Sequence, residues 1–202
     1  MKGGRKMNTQ VRWISAVVLG GFVLLTLLTA GLREVHGQAA SVSWAFVLSA
    51  GNQTGSIATA CANDGSCITL TGSGTFVAPT GGEGTSSAAT GGGAWSLFAP
   101  GATTPSATGT YSVTGLVRWE QKGTFPLLPD NAVGGLAILR VEFSDGSQGV
   151  LTVSCHAASG ADPAVFEGIT VSKGHVDYWN RQAPGPEVVG NRTIFHTLST
   201  ED

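Results

Sequence analysis

Four residues in the C-terminal half carry the side chains that acid–base or metal chemistry needs. They are His156, Glu167, His175 and Asp177. Imidazole nitrogens and carboxylate oxygens bind zinc and similar cations, and imidazole also exchanges protons near neutral pH. Either role requires that the four side chains converge within a few ångströms from different strands. This set defines our alternative interpretation, in which the protein is a small secreted enzyme assisted by a metal ion.

The stretch KGHVDYW, residues 173–179, is better explained as part of a hairpin than as a ligand set. A four-residue loop over 172–175 makes His175 a turn residue and directs Asp177 outward, because successive strand residues alternate between faces. The predicted register pairs Val171 with Val176, Ile169 with Tyr178 and Thr170 with Asp177. It leaves Val176 and Tyr178 on a buried face. We therefore predict no catalytic residue and no metal ligand.

Aromatic side chains offer a different chemistry, since they can stack on a sugar ring or line a pocket for an apolar ligand. The candidates are Trp44, Trp95, Trp119, Tyr178 and Trp179. Large aromatic residues usually fill the core of a small β domain, and we expect that role for most of this set. Trp179 is the exception, because it falls on the same outward side as Asp177. Asp177 and Trp179 are therefore the predicted binding residues.

Motifs for other reactions are missing from the sequence. There is no G-x-S-x-G turn for a nucleophilic serine, and no glycine-rich phosphate loop that follows a strand and opens a helix. The turns NDGS at 63–66 and SDGS at 144–147 resemble fragments of calcium loops but lack the further acidic ligands. We therefore expect no cofactor.

The segments that position these residues are short and strand-like. From Ser41 onward, ten segments have strand patterns, with turn signals between them. They are 41–51, 55–61, 67–78, 93–99, 109–121, 135–144, 149–155, 166–172, 176–180 and 191–199. We predict an all-β domain, with an antiparallel β-sandwich as the first expectation and an antiparallel β-barrel as the alternative. The Gly- and Ser-rich stretches 79–93 and 100–109 are expected to be long flexible loops.

Two Asp-Gly turns determine how the strands beside them pair. A three-residue loop at 144–146 separates an apolar set from a polar set. The apolar set is Phe143, Val141, Leu139, Leu151, Val153 and Cys155, and the polar set is Arg140, Glu142, Gln148, Thr152, Ser154 and His156. The same loop at 63–65 places Cys61 opposite Cys67, as a cross-strand disulfide requires. We predict this disulfide, and we expect Cys155 to be a buried apolar residue, not a nucleophile.

The first 37 residues have the composition of a targeting segment. Basic residues precede an apolar run of 20 residues from Trp13 to Leu32, and small residues follow it. We interpret residues 1–37 as a signal peptide that is cleaved near 37–40. Because the apolar run is long enough to span a bilayer, an uncleaved membrane anchor over 13–32 is the alternative. Either case places the β domain outside the cytoplasm.

The expected organisation is this leader, a β domain over 38–181, and a C-terminal segment over 182–202. The C-terminal segment starts with a Pro- and Gly-rich linker and contains a last strand near 194–198 before a loose acidic end. Asn52 and Asn191 each begin a triplet with the N-glycosylation pattern.

Charge excludes two classes of partner. Removing the leader leaves 6 basic and 12 acidic residues, a net charge of −6. With no cluster of Lys or Arg, neither nucleic acid nor an anionic membrane surface is an expected partner. Membrane contact is expected only through an uncleaved N-terminal segment. The leading expectation is an exported, non-catalytic module with a structural, adhesive or ligand-binding role, and a barrel that holds an apolar small molecule is a further alternative.

Overall fold

The computed structural model describes residues 40–47, 56–79, 85–125, 131–156, 165–181 and 191–198. Twelve strands run through this part of the chain. They are β1 (Ser41–Val47), β2 (Ala58–Cys61), β3 (Cys67–Leu70), β4 (Ser73–Val77), β5 (Ala89–Phe98), β6 (Ala107–Thr124), β7 (Ala132–Phe143), β8 (Gln148–Cys155), β9 (Gly168–Lys173), β10 (Val176–Tyr178), β11 (Asn180–Arg181) and β12 (Arg192–Leu198). The predicted leader over 1–37, with its signal or anchor helix, lies outside the described residues. Within them, no helix has the length and apolar character that crossing a membrane requires.

Six of these strands close into an antiparallel barrel. Their order around it is β7, β12, β1, β4, β5, β6 and back to β7. The all-β antiparallel class is thus confirmed, but the sandwich that we expected first is replaced by its alternative, the barrel. The reason is curvature. Strand β6 is 18 residues long, and its pairing with β7 contains three register shifts, which bend a sheet strongly enough to close it.

Two arms extend from the barrel along its long strands. In the first arm β5 pairs with β3, and β3 pairs with β2; in the second β7 pairs with β8, and β8 pairs with β9. Residues 176–181, which we call the strap, join the two arms, because β10 pairs with β9 and β11 pairs with β2. The strap therefore closes a second circuit of strands that shares β5, β6 and β7 with the barrel.

Aromatic rings fill the barrel interior. The ring centroid of Trp119 lies 4.7 Å from that of Phe195 and 5.2 Å from that of Phe76. Trp44 and Trp95 are also buried, as we predicted for most of the aromatic residues. The rings of Phe76, Trp119 and Phe195 come from three different strands, so their packing ties β4, β6 and β12 together.

Both Asp-Gly hairpins have the predicted registers. Across the turn at 144–146, Leu139 lies opposite Leu151, as the three-residue loop requires. Across the other turn, Cys61 lies opposite Cys67, and the two residues form the predicted disulfide. The alternation of apolar residues together with the Asp-Gly signal was therefore sufficient to predict these pairings.

The apolar face predicted for β7 and β8 is buried, including Cys155. Ser154 departs from the pattern, because it is buried although we predicted that it would face outward. Strand β12 covers it, and the hydroxyl of Thr193 donates a 2.6 Å hydrogen bond to the Ser154 carbonyl oxygen. A contact with a strand almost 40 residues away in sequence thus changes the exposure of one hairpin residue.

The glycine-rich stretch 79–93 is not wholly a loop, contrary to our expectation. Strand β5 starts at Ala89 and includes the glycines at 91–93. A Cβ atom at Gly93 would overlap the carbonyl oxygen of Thr71, so only glycine lets these two backbones approach each other. The small residues allow two strands to approach closely. Their composition is also typical of a flexible loop, which is why the sequence did not indicate a strand here.

Other boundaries also differ from the expected ones. The predicted strand 67–78 is divided at Thr71–Gly72 into β3 and β4, which pair with successive parts of β5. Strand β6 begins at Ala107, inside the stretch 100–109 that we expected to be a loop. The predicted last strand is present as β12, and it pairs with both β1 and β7 within the barrel.

The side chain of Lys173 lies over the buried rings of Trp95 and Phe143, next to the β7–β8 turn. Its side chain is 8% exposed, and its ammonium group lies 4.5 Å from the ring centroid of Trp95 and 4.9 Å from that of Phe143. The same group forms an ion pair with Asp145 and a 2.8 Å hydrogen bond with the hydroxyl of Ser147. Lys173 thus joins the end of β9 to the β7–β8 turn through both charge and ring contacts.

We expect the pair of Asp145 and Lys173 to make stability depend on pH. The Lys173 ammonium, together with the hydroxyl and the N–H of Ser147, lowers the pKa of Asp145 from 3.8 to about 2. Because the folded state favours the ionised carboxylate, its contribution is complete above pH ~4 and is lost as the pH falls toward ~2. In urea unfolding curves, the wild type should be more stable than Asp145→Asn near neutral pH, and the difference should narrow over that acidic interval.

Lys173→Met supplies the control for this prediction. Methionine keeps an apolar chain against Trp95 and Phe143 but carries no ammonium group. In the Lys173→Met variant, replacing Asp145 with asparagine should change the pH dependence of the free energy of unfolding much less than it does in the wild type. Parallel stability curves for the wild type and Asp145→Asn between pH ~4 and ~2 would contradict the role given to the ion pair.

Candidate functional site

The turn between β9 and β10 has two residues, Gly174 and His175, and not the four that we predicted. The observed pairs are Val176 with Lys173, Asp177 with Ser172 and Tyr178 with Val171. Gly174 has φ +60°, which suits a two-residue hairpin turn with glycine in first place. The register moves by two residues, so Tyr178 is buried and Asp177 is exposed as predicted. Val176 differs from the prediction, because it is 40% exposed.

The outward faces of β8, β9 and the strap form a groove of about 660 Å³, which we call the outer groove. Its lining includes Val150, Thr152, Thr170, Ser172, Asp177 and Trp179, with Asn63 and His175 beside them. The groove therefore combines the exposed indole of Trp179, one carboxylate, one side-chain amide, one imidazole and several hydroxyl groups. It also contains both residues that the sequence indicated as a binding surface.

Strand register explains how this lining is assembled. Cross-strand neighbours form two rows on the outer face, Val150–Ser172–Asp177 and Thr152–Thr170. Trp179 directly follows β10 and lines the same groove. Neighbours within a row are about 4.8 Å apart, and the rows are separated by about 6.7 Å. The two rows and Trp179 thus present six side chains on a surface small enough for one ligand to contact.

Trp179 has the most exposed large apolar side chain in the described part of the chain, at 55%. Its backbone is nevertheless anchored, because its N–H donates a 3.1 Å hydrogen bond to the carbonyl oxygen of Cys61. The side-chain amide of Asn180 also donates to that of Asn63, at 3.4 Å. These bonds hold the strap against the disulfide hairpin. The exposure predicted for Asp177 and Trp179 is confirmed, and their role in binding stays a prediction.

Glu167 and His156 meet at the opposite end of β8 and β9, where the carboxylate binds backbone groups. One oxygen of Glu167 accepts the N–H of His156 at 2.8 Å, and the other accepts the N–H of Thr193 at 2.6 Å. The Nδ1 atom of His156 lies 2.7 Å from the carbonyl oxygen of Val165. Burial raises the pKa of the Glu167 carboxyl, and the hydrogen bonds from Thr193 and His156 oppose that rise. We assign Glu167 to holding β12 against the end of β8.

The structure does not bring the four residues of the alternative active site together. His156 and Glu167 lie at one end of the β8–β9 pair, whereas His175 and Asp177 lie at its other end. Strand geometry separates the two pairs by about 17 Å or more, too far for one metal ion or one proton transfer. Across the described ranges, no group of three His, Cys, Asp or Glu side chains is placed to hold a metal ion.

No binding role was predicted for the hydroxyl residues of the groove, although Thr170 was paired with Asp177 and Thr152 was expected to face outward. Alternation along β8 predicts an outward Thr152, but it carries no signal that Thr152 meets Thr170 and Ser172. The sequence signal for such a groove would be a set of outward Ser and Thr residues on consecutive strands, but this pattern is also common on β surfaces that have no binding site. Only the pairing of β8, β9 and the strap distinguishes a groove from an ordinary surface.

Asn191 is buried and is not accessible for glycosylation in the folded protein. Its side-chain oxygen accepts the N–H of Thr59 at 2.6 Å, and its own N–H donates to the carbonyl oxygen of Ile57 at 2.9 Å. The triplet at Asn191 therefore has a structural role next to β2. Asn52, the other asparagine with this pattern, lies outside the described residues.

Comparisons with protein-family models, with curated proteins and with solved structures found no match. A function for this chain must therefore be inferred from the geometry and chemistry of its own surface.

Proposed function

We propose that this protein is an exported, non-catalytic module that binds a ligand in the outer groove. The observation that carries the proposal is the position of Trp179, whose indole is 55% exposed in a groove that also presents a carboxylate and hydroxyl groups. Exposed apolar surface rimmed by polar groups is typical of recognition sites, and tryptophan is among the residues most enriched in them.

Binding is favoured over catalysis because the groove contains few groups that transfer protons. Of the described residues that line it, only His175, Asp177 and Tyr178 carry an imidazole, a carboxyl or a phenol group. Tyr178 is buried, and desolvation raises the pKa of its phenol. The enzyme alternative also needs Glu167, whose carboxylate binds backbone N–H groups at the far end of β9.

A ligand outside the barrel is favoured over an apolar molecule inside it. The rings of Phe76, Trp119 and Phe195 pack against one another in the interior. A barrel needs about eight strands before its interior can hold a small ligand, and this barrel has six.

Export is supported by two observations. Residues 1–37 have the order of basic, apolar and small residues found in signal peptides. The disulfide between Cys61 and Cys67 is of a kind that persists in oxidising compartments outside the cytoplasm. We propose a secreted or extracytoplasmic location, with anchorage through 13–32 as the alternative. The mass of the exported protein's N-terminal peptide distinguishes the two.

The binding proposal is tested by following amide and indole N–H signals of the full chain in proton–nitrogen correlation spectra. The probes are neutral oligosaccharides, free amino acids and tetramethylammonium. We expect at least one class to shift the indole signal of Trp179 and the amide signals of Thr170 and Ser172. Ile57→Ala, which alters an exposed residue outside the groove lining, should leave these shifts unchanged. Shifts confined to other surfaces, or no shifts from any class, would overturn the proposal.

A further inference from the structure

We infer that the outer groove takes a neutral carbohydrate, with one pyranose ring stacked on Trp179 and its hydroxyl groups bound by the two rows of side chains. This inference rests on the proposed function and names the class of its ligand. It is carried by the shape of the groove, by the polarity of its hydrogen-bonding groups, and by its charge.

The shape of the groove matches both surfaces of a sugar ring. A pyranose has a face made of C–H bonds and a rim of hydroxyl groups. The face of an indole carries partial negative charge and attracts such C–H bonds, while its area excludes water from them. Asp177 lies two residues before Trp179, about 6.7 Å along the strand. A ring stacked on Trp179 would therefore extend its rim of hydroxyl groups toward Asp177.

The hydrogen-bonding groups of the rows offer both donors and acceptors. The hydroxyl of Ser172 accepts the N–H of Val150 at 3.0 Å, so its own O–H can donate to a ligand. The carboxylate of Asp177 only accepts, and it has room for two hydroxyl donors. The hydroxyl groups of Thr152 and Thr170 can act either way. Each sugar hydroxyl donates one hydrogen bond and accepts others, so a polyhydroxylated ligand satisfies this mixture.

The charge of the groove disfavours anionic ligands. Among the described residues that line it, none is Lys or Arg, and Asp177 is the one acidic side chain. Phosphate, sulfate and nucleic acid require cationic partners, which this lining does not supply. A neutral ligand has no such requirement.

A quaternary ammonium ion is the closest competing ligand, because it also binds aromatic rings beside carboxylates. Sites for such ions are cages in which several aromatic faces surround the charge. The outer groove presents one indole face, since Tyr178 directs its ring into the core and is 5% exposed. Its volume of about 660 Å³ is also in the range of sites for drug-sized ligands, larger than one small cation. Both observations favour a short oligosaccharide.

The test is calorimetric titration of the full chain with short neutral oligosaccharides of glucose, galactose, mannose or N-acetylglucosamine. We expect at least one of them to bind, and Trp179→Ala to weaken that binding about tenfold or more. Trp179→Phe should retain part of the affinity, because a smaller ring still stacks. Asp177→Asn should weaken binding less than Trp179→Ala, since the amide oxygen still accepts one hydroxyl donor.

Two controls separate the ligand class from the site itself. Ile57→Ala should bind as the wild type does, and melting curves should show that every variant is folded. Affinity for a neutral sugar should change by less than about twofold between ~0.05 and ~0.5 M NaCl, because salt screens only charged ligands. Binding of tetramethylammonium at Trp179, with no oligosaccharide bound, would overturn the carbohydrate inference and leave the proposed function standing. If no probe shifts the Trp179 indole signal, both are overturned.

Discussion

Replacing Trp119 with alanine should lower the free energy of unfolding by about 3–5 kcal/mol, the usual cost of removing a large buried aromatic side chain. The indole is 2% exposed and packs against rings from two other strands, Phe195 of β12 and Phe76 of β4. Alanine would leave a void in the barrel interior that these rings cannot fill unless both strands move. Because a domain is stable by only about 5–15 kcal/mol, the variant should unfold at a much lower urea concentration.

Trp179→Ala is the matched control, because it removes the same side chain from a position that is 55% exposed. It should change the free energy of unfolding by less than about 1 kcal/mol. Urea unfolding followed by far-ultraviolet circular dichroism measures both variants. Equal losses for Trp119→Ala and Trp179→Ala would contradict the assignment of one residue to the core and the other to the groove.

Removing the disulfide with Cys61→Ala and Cys67→Ala together should lower the free energy of unfolding by about 2 kcal/mol and weaken the outer groove. The stability loss follows from the greater entropy of the unfolded chain once its short loop is opened. The groove is affected because the carbonyl of Cys61 accepts the N–H of Trp179. A less constrained β2–β3 hairpin would hold the strap less firmly, so the indole signal of Trp179 should broaden and ligand affinity should fall.

A reducing agent provides the control for the disulfide prediction. Dithiothreitol should bring the unfolding midpoint of the wild type close to that of the double variant, and it should not change the double variant itself. If the reduced wild type keeps both its unfolding midpoint and the sharp indole signal of Trp179, the disulfide does not support the groove. That result would leave the strap held by its strand pairing alone.

The hairpins could be predicted because their information is local. In the β7–β8 pair, a three-residue loop at 144–146 keeps Leu139 and Leu151 on one face, whereas a two-residue loop would not, and the Asp-Gly signal favours the three-residue loop at this position. The disulfide follows from the same rule applied to Cys61 and Cys67. A register that is wrong by one residue would expose every apolar side chain, so the pattern is decisive.

The register of the β9–β10 hairpin, in contrast, could not be predicted from the alternation of apolar and polar residues. A shift of two residues keeps every side chain on its face, so alternation cannot separate a four-residue loop from a two-residue loop. The backbone of Gly174, at φ +60°, and the ion pair of Lys173 with Asp145 accompany the shorter turn. The pair links residues 28 positions apart, a contact that no local pattern reports.

Barrel closure could not be predicted for a similar reason. It requires β12 to pair with β1 and with β7, strands that are far from it in the sequence. A sandwich strand and a barrel strand share the same alternation, since each has one face toward a core. The bulges of β6 that curve the sheet leave no recognisable pattern in the sequence, and the glycines at 91–93 resemble a loop.

The chemistry of neighbouring residues in this chain thus specifies its strand class, two hairpin registers, one disulfide, and the outward side of Asp177 and Trp179. Each of these depends on alternation and turn geometry within a few residues. The closed barrel, the strap and the convergence of Trp179 with Thr152 and Thr170 come from pairing between distant strands. Such pairing is selected by the packing of the whole core, in which many residues contribute together. The outer groove is therefore a property of the fold, although its two most prominent residues could be found beforehand.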